Sequence, residues 1–367
     1  MSFNPGDYIF SQQYGFGRVI SMEGPDQCRI LFQSGLHEQF KIGSWMRQLN
    51  DRQGEALMEI DLRNYENTFS EPEKSGKHIH GSHWEMFFDA SEKAIMALVD
   101  KVVNNRGPLP CWADSYPPPF CLHDHQPVAF PYTWPMPRQG VIIVISPNPS
   151  SKIGQVETLF PWASEGVEHE ITLNKVYPWS NRLEAQITGT IADGIEISYF
   201  DTEYVRHRAY YAAGMSYQFV LSGFAYACRV IKAEPIHITD PAFIKIWKTG
   251  VKKIAGKDTI TFHTTGMTAF YPVDNADRDD YHFQTKVKHI VEYELMNVKA
   301  YRIRGAIFRT TSPEKDYDLD IYVTERALKG RVPKVGDDIS GNLWLQGYMS
   351  FNPCTPAAVL RNVLGDI

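Results

Sequence analysis

An internal repeat in the second half of the chain constrains the fold more than any other sequence feature. Residues 202–226 align with residues 324–348 without a gap. Just upstream, Ile187-x-Gly189-x-Ile191 aligns with Ile303-x-Gly305-x-Ile307 in a register shifted by six residues, which a longer hairpin around residues 311–317 absorbs. Because a repeat defines the architecture of a whole region, the same β-rich module is predicted twice. The identical pairs in the ungapped stretch are Thr202 and Thr324, Glu203 and Glu325, Gly214 and Gly336, Leu221 and Leu343, and Tyr226 and Tyr348.

Composition places the chain among folded multidomain proteins. With 367 residues, it is too long for one ordinary core, so two to three domains are expected. Hydrophobic residues make up 43% and charged residues 22%, as in folded soluble proteins. Aromatic residues are frequent at 13%, which suits half-buried strands and binding surfaces.

Charge, apolar runs and cysteines bear on partners and compartment. The net charge of −6 does not favour whole-chain binding to a phosphate backbone, although a local basic face stays open. The apolar run at 141–146 is far too short to span a bilayer, and the N-terminus lacks a signal region, so no membrane partner is expected. The five scattered cysteines form no Cys-x-x-Cys pair and fit free thiols. Together these features predict a cytoplasmic protein.

Residues 4–42 have the turn spacing of a small barrel of short strands. Pro5-Gly6-Asp7 is a turn, Tyr14-Gly15-Phe16-Gly17-Arg18-Val19 leads into a second strand, and Arg29-Ile30-Leu31-Phe32 is a third, before Gly35. This stretch resembles the Tudor-like or SH3-like barrels of CarD-type transcription factors, UvrD-type helicase C-termini and transcription–repair coupling factors. The resemblance covers about a tenth of the chain.

The resemblance implies a docking role for this barrel. In those families the barrel docks another protein, notably RNA polymerase, and sometimes nucleic acid. Positive and negative charges balance within residues 1–50, so no basic stripe supports DNA binding. Protein docking through Tyr14, Phe16 and Arg18 is therefore the expected role.

The remaining chain is predicted to be mainly β with some α. Residues from Ser44 onward have helical spacing, and Ser91–Asn105 is the clearest helix, with Ser91 as its cap. Prolines and aromatic residues alternate from 107 to 137, which indicates an ordered wrapping segment rather than a regular sheet. A central glycine, a Thr-Glu strand end and a long aromatic strand in each copy are typical of a small Greek-key barrel such as the OB-fold. The predicted domains are 1–43 (Tudor/SH3-like barrel), 44–106 (helical), 107–140 (wrapping segment), 141–232 (first β module), 233–285 (insert), 286–350 (second β module) and 351–367 (C-terminal helix).

Two histidine clusters are candidate metal sites. The first is His78-Ile79-His80-Gly81-Ser82-His83, whose alternative interpretation is a solvated loop. The second contains Cys121, His123 and His125, which would share one face of a strand and offer thiolate and imidazole ligands to zinc. Three such ligands with an open fourth position would activate water. No other cofactor is expected.

Further groups of polar residues could take part in binding or catalysis, but most of them have an ordinary structural explanation. The acidic residues at 274–280 and 314–320 fit solvated turns, and the repeated Thr-Glu pairs fit strand-end caps. A basic and aromatic cluster remains the best candidate for stacking bases and contacting phosphates, or for holding another partner. It consists of Tyr204, Arg206, His207, Arg208, Tyr210 and Tyr211.

The leading hypothesis from sequence is a non-enzymatic adaptor that binds a protein partner. It depends on the duplicated module, the balanced charge and the lack of a complete phosphate loop, dinucleotide fingerprint, nucleophile elbow or metalloprotease helix. A single-stranded nucleic-acid-binding protein and a metal-dependent hydrolase using His123 and His125 remain alternatives.

Overall fold

The computed structural model shows a mainly β protein with few helices. It describes part of the chain. The described residues are 3–11, 15–32, 37–43, 46–49, 68–70, 80–89, 91–104, 109–110, 120–121, 128–136, 138–146, 154–181, 183–191, 194–207, 211, 213–232, 234–250, 259–311 and 314–350.

The N-terminal residues form a five-stranded antiparallel sheet with a core of its own. The strand order is β4-β3-β2-β1-β5, and the buried residues include Ile9, Val19 and Ile30. The last strand corrects the helix predicted from Ser44 onward, because residues 46–49 pair with β1 and extend the sheet. The strands are β1 (Tyr8–Ser11), β2 (Gly15–Gly24), β3 (Gln27–Phe32), β4 (His37–Lys41) and β5 (Met46–Leu49).

Helices are short and few among the described residues. The helix predicted around Ser91 is confirmed: the Ser91 hydroxyl accepts a hydrogen bond from the Ala94 amide at 3.3 Å, and Ile95, Val99 and Val102 are buried. Each described helix is too short or too polar to cross a membrane. The helices are a 3-10 turn (Gly81–Trp84), α1 (Glu92–Asn104), α2 (Tyr204–His207) and α3 (Pro241–Gly250). The predicted C-terminal helix lies outside the described residues.

A second five-stranded sheet contains part of the proline-rich stretch, which corrects the prediction of an irregular segment. Pro131 and Pro135 lie within β8 and pair with β9. On its other side, β8 pairs with β6 through Tyr132 and Thr133 and with β7 through Val128 and Ala129. None of these four residues is a proline, so each has a backbone amide to donate. The strands are β6 (Leu109–Pro110), β7 (Phe120–Cys121), β8 (Val128–Met136), β9 (Gln139–Ser146) and β10 (Gln155–Ala163).

The rest of the described chain forms a ten-stranded sheet and a small separate ribbon. The sheet contains β11 (Val167–Pro178), β12 (Ala185–Thr190), β13 (Glu196–Asp201), β14 (Ser216–Ile231), β17 (Ala269–Pro272), β18 (Asp280–Lys286), β19 (His289–Leu295), β20 (Val298–Thr311), β21 (Glu314–Thr324) and β22 (Asp338–Met349). The ribbon pairs β15 (Ile236–Ile238) with β16 (Ile260–Phe262).

Within this sheet, two strand rings share two strands. The first ring runs β11-β12-β13-β22-β14 and returns to β11. The second runs β18-β20-β21-β14-β22 and returns to β18, where the Lys288 amide donates to the Arg304 carbonyl at 2.9 Å to join β18 to β20. Each ring contains five strands, the number that the predicted small β-barrels require. Each takes its fifth strand from the other copy, which is why the first copy alone supplies too few strands.

The two rings are related by an approximate two-fold symmetry that passes through the shared strand pair β14–β22. Leu221 pairs with Gly347, and the equivalent residues Ala225 and Leu343 also pair. Gly223 and Leu345 pair at the centre of this arrangement. The registers of the flanking strands match as well, since β13 is parallel to β22 and β21 is parallel to β14.

These registers confirm the duplicated β module predicted from sequence. Gly189 and Gly305 stand at equivalent places on β12 and β20, opposite Ile197 and Leu319. A Cβ at Gly189 would meet Ile171 and the Thr172 carbonyl, so close strand approach requires the glycine. The proposed domain limits are not tested by these contacts and stay a prediction.

Candidate functional site

Two residues of the first histidine cluster, His80 and His83, lie in the protein core, whereas His78 lies outside the described residues. His80 begins the 3-10 turn in a left-handed conformation, with φ 48°, and the turn brings His83 to the same side. Both residues are buried, at 3% and 4% exposed. The solvated-loop interpretation of this segment is therefore wrong for His80 and His83.

A buried carboxylate, Glu184, anchors these histidines. His80 Nε2 lies 2.5 Å from Glu184 Oε1, which also accepts a hydrogen bond from the Thr158 hydroxyl at 2.7 Å. The second oxygen accepts from the Asn181 amide at 2.5 Å. Glu184 is 1% exposed, so three donors replace the water that the carboxylate loses on burial.

The hydrogen bonds extend from His80 to His83. Their Nδ1 atoms are 2.9 Å apart. Since Glu184 receives the Nε2–H of His80, a neutral His80 accepts at Nδ1 and His83 donates there. His83 Nε2 is then an acceptor without a donor among the described residues. Burial is the main cause that holds the pKa of His83 well below its ordinary value, and the neighbouring His80 ring acts in the same direction.

Aromatic rings enclose the pair. The His83 ring stacks on Trp344 with centroids 3.9 Å apart, and Tyr226 lies on it at 6.1 Å. Trp179 stacks on His80 at 4.8 Å, and Phe200 meets the same ring edge-on. This apolar enclosure explains why a charged imidazolium is disfavoured at His83.

Trp344 connects the histidines to a second buried carboxyl group. Its indole N–H donates to Asp279 Oδ2 at 3.1 Å, and Gln186 donates to Oδ1 at 2.7 Å. Burial raises the pKa of Asp279 to about 7, and the charge of Asp280 adds to the rise. Burial also raises the pKa of Asp280 to about 6, although a hydrogen bond from Tyr226 at 2.7 Å opposes this.

The two rings differ at this point. Gln186 on β12 and Asp279 before β18 correspond to Arg302 on β20 and Glu165 before β11, as the strand registers show. Arg302 and Glu165 form an ion pair whose side chains are 25% and 45% exposed. Where one junction has a partly exposed ion pair, the other has a buried hydrogen bond to a carboxyl group whose pKa is raised.

A separate buried carboxyl group lies at the end of β13. Asp201 accepts a hydrogen bond from the Tyr211 hydroxyl at 2.5 Å and one from the Glu203 amide at 3.0 Å. Burial raises the pKa of Asp201 to about 7 against these two hydrogen bonds. The second ring has Val323 at the equivalent position, so this group too is specific to one copy.

The chemistry available to these clusters is proton holding within a closed interior. No group of three His, Cys, Asp or Glu side chains with metal-binding geometry occurs among the described residues. Both carboxylate oxygens of Glu184 accept hydrogen bonds from protein donors. The arrangement therefore joins the 3-10 turn, β10 and both rings through buried hydrogen bonds.

The basic and aromatic cluster predicted to bind nucleic acid or a partner is partly interior. Tyr204 and His207 are buried, at 5% and 1% exposed, so their rings do not form an exposed stacking surface. The Arg206 backbone lies in α2, and its side chain is not among the described parts. Arg208 and Tyr210 lie outside the described residues, so a binding role for these arginines stays a prediction.

The predicted docking and metal residues are described only in part. Arg18 is exposed, with its guanidinium 5.4 Å from the centre of the Tyr8 ring. Phe16 belongs to β2 and Cys121 to β7, but their side chains are not described. Tyr14, His123 and His125 lie outside the described residues, so the zinc hypothesis stays a prediction.

Other residues of the site were missed by sequence reasoning. The run of acidic residues around Asp279 predicts a solvated turn, yet the structure buries Asp279 completely. Glu184, Thr158 and Asn181 carried no motif. A weak signal for Glu184 was available, because it directly precedes the apolar strand of the repeat. The strand-end role of the Thr-Glu pairs is supported, since the Thr324 hydroxyl accepts from the Ala327 amide at 3.2 Å.

Comparison with known proteins adds no relative. No protein-family model, curated protein or solved structure matched this chain.

Proposed function

We propose that this chain is a non-enzymatic cytoplasmic adaptor whose N-terminal barrel docks a protein partner. The observation that carries the proposal is an exposed face of that barrel. Ile20 is 42% exposed and Arg18 lies beside it on β2, while Val19 between them is buried. An apolar side chain next to an arginine is a composition enriched at protein interfaces.

The local sequence explains why Ile20 faces outward. The β2–β3 register shifts between Val19 and Ser21, which makes Ile20 the extra residue of a β-bulge. Alternation along β2 turns Ile20 outward after the buried Val19, and the bulge leaves Ile20 outside the β2–β3 register. Val19 keeps its place in the core, and Ile20 gains a place on the surface.

The charged residues of the second ring give no support to nucleic-acid binding there. Arg304 pairs with Asp320 at 2.8 Å, and Arg309 pairs with Asp316 at 2.6 Å. Each of these arginines alternates with a carboxylate, so together they do not form the continuous basic groove that follows a nucleic-acid backbone. Docking of a protein by the N-terminal barrel is therefore the function we favour.

The test is site-specific photo-crosslinking of the full chain in cells. A photoreactive residue replaces Ile20, and a matched variant carries it at Val335, which is 64% exposed in the second ring. We expect a protein adduct at position 20 that is absent at 335, and that Arg18→Glu lowers it about tenfold. RNA polymerase is the first partner to test with purified protein, because the sequence resemblance implies it.

The outcomes separate the hypotheses. An adduct to nucleic acid at position 20 would favour the nucleic-acid alternative. The same adducts at both positions, or no adduct at position 20, would refute docking through this face.

A further inference from the structure

The second ring contains a cavity of about 580 Å³ next to the end of β18. Three cationic side chains line it, Lys286, Lys288 and Arg309, and no carboxylate belongs to the lining. Three hydroxyl groups complete the polar wall, those of Thr265, Thr268 and Thr285. Such a volume falls within the range of small-molecule sites.

The cations of this cavity are not fully neutralised by their neighbours. Lys288 lies 2.7 Å from Asp316 and 2.5 Å from Asp318, and Arg309 shares Asp316 at 2.6 Å. Lys286 forms no ion pair with any described residue. Two carboxylates thus face three cations.

Asp338, the cross-strand partner of Lys286, already accepts hydrogen bonds. Both oxygens of Asp338 accept from the Gly266 amide, at 3.0 and 3.1 Å, and Asp338 is 7% exposed. Its hydrogen bonds go to the backbone, so the amine of Lys286 keeps its capacity to bind an anion.

At the equivalent place, the first ring has the same backbone contact but neither of the two lysines. The groove wall is alike in both, because the Gly214 amide donates to Leu173 at 2.7 Å just as the Gly336 amide donates to Val287 at 2.8 Å. The strand registers place Thr172 where Lys286 stands, and the same alignment places Asn174 where Lys288 stands. In the first ring the Thr172 hydroxyl is bonded to Ser216 at 2.8 Å.

A third difference enlarges the groove. Thr190 of the first ring bonds to Asn174 at 2.8 Å, and Ala306 occupies the equivalent place in the second ring. The second copy therefore replaces two neutral side chains with lysines and shortens a third. A scaffold role common to both rings does not require these changes, whereas an anion site in one ring does.

We propose that this cavity binds a phosphorylated polyol, of the sugar-phosphate class. The phosphate would be bound chiefly by the Lys286 amine, and Lys288 and Arg309 would contribute the N–H donors that Asp316 and Asp318 leave unused. The free hydroxyl groups of Thr265 and Thr268, which bond to no described residue, would meet the sugar hydroxyls. The lining holds no aromatic ring on which a base would stack, so a nucleobase is not part of the ligand.

The test is isothermal titration calorimetry on the full chain. The probes are ribose 5-phosphate, inorganic phosphate and unphosphorylated ribose. We expect ribose 5-phosphate to bind more tightly than phosphate, and ribose not to bind. Lys286→Thr and Lys288→Asn, which install the residues of the first ring, should each weaken binding about tenfold or more.

Lys299→Asn is the matched control. Lys299 is an exposed lysine of β20 that pairs with Glu292 at 2.9 Å and does not line the cavity. The control should bind like the wild type, and circular dichroism should show all three variants folded. The proposal is overturned if no probe binds, or if Lys299→Asn weakens binding as much as Lys286→Thr does.

Discussion

Removal of the Glu184 carboxylate is the sharpest test of the buried histidine cluster. Glu184→Ala leaves three buried donors without their acceptor, on His80, Thr158 and Asn181. A hydrogen bond to a charged group contributes about 1.5–3 kcal/mol, and an orphaned buried donor costs about 1–3 kcal/mol. These losses overlap, and a broken buried charge network typically costs about 3–5 kcal/mol. We expect a fall in the free energy of unfolding of about that size.

Urea unfolding at pH 7 measures this loss. Tryptophan fluorescence reports on the right region, because Trp179 stacks on His80 and Trp344 stacks on His83. The control is Glu196→Ala, since Glu196 is an exposed carboxylate of β13 whose loss should cost about 0.5 kcal/mol or less.

Glu184→Gln refines the test. It keeps the acceptor for His80 and Thr158 but sets one amide N–H₂ against that of Asn181, so an intermediate loss of about 1–3 kcal/mol is expected. The reasoning fails if Glu184→Ala is no more costly than Glu196→Ala, because the network would then contribute nothing measurable.

Three further predictions concern the other buried groups. Because burial raises the folded-state pKa of Asp279 from 3.8 to about 7, its contribution to stability is lost as pH rises through that range, by up to about 1.4 kcal/mol per pH unit. Asp279→Asn should flatten this slope in urea titrations between pH 4 and 8, and an unchanged slope would contradict the assignment. Tyr211→Phe removes the hydrogen-bond donor to Asp201. It should lower the free energy of unfolding by about 1.5–3 kcal/mol at pH 8, where that carboxyl group is ionised, and by less at pH 5. Equal losses at both pH values would count against this prediction. Gly341→Ala places a Cβ on the carbonyl oxygen of Ala227 across the shared strand pair, and should lower stability by about 3 kcal/mol in thermal melts; a wild-type melting temperature would rule out this close approach.

The sequence was sufficient for the parts of the fold that local pattern determines. The alternation around Ile30 and the cap at Ser91 depend on residues that are close in sequence. Gly189 and Gly305 reflect the same backbone requirement in both copies, a close approach of another strand. These features predicted the N-terminal barrel, α1 and the duplicated modules.

The sequence was insufficient where a distant residue decides the environment. His80 and His83 lie in a polar segment flanked by glycine, which is typical of a solvated loop, but a carboxylate 104 residues away draws His80 into the core. Asp279 stands in a run of aspartates and yet faces a tryptophan 65 residues further along. Burial of this kind depends on tertiary pairing, for which a single sequence carries no local signal.

The sharing of β14 and β22 explains why the described side chains of the two copies differ mainly at strands that are not shared. Each of these strands serves two rings, so its core residues are constrained twice, as the equivalent tyrosines Tyr226 and Tyr348 illustrate. The first donates to Asp280 and the second to the Ser164 carbonyl, both at 2.7 Å and both beside the first strand of the opposite ring. Residues that serve only one ring are free of that constraint. Asp279 and Lys286 are both of this kind. They stand at the positions that Glu165 and Thr172 occupy in the first ring. A duplicated fold with exchanged strands thus keeps its centre symmetric and lets chemistry diverge at the strands that are not shared.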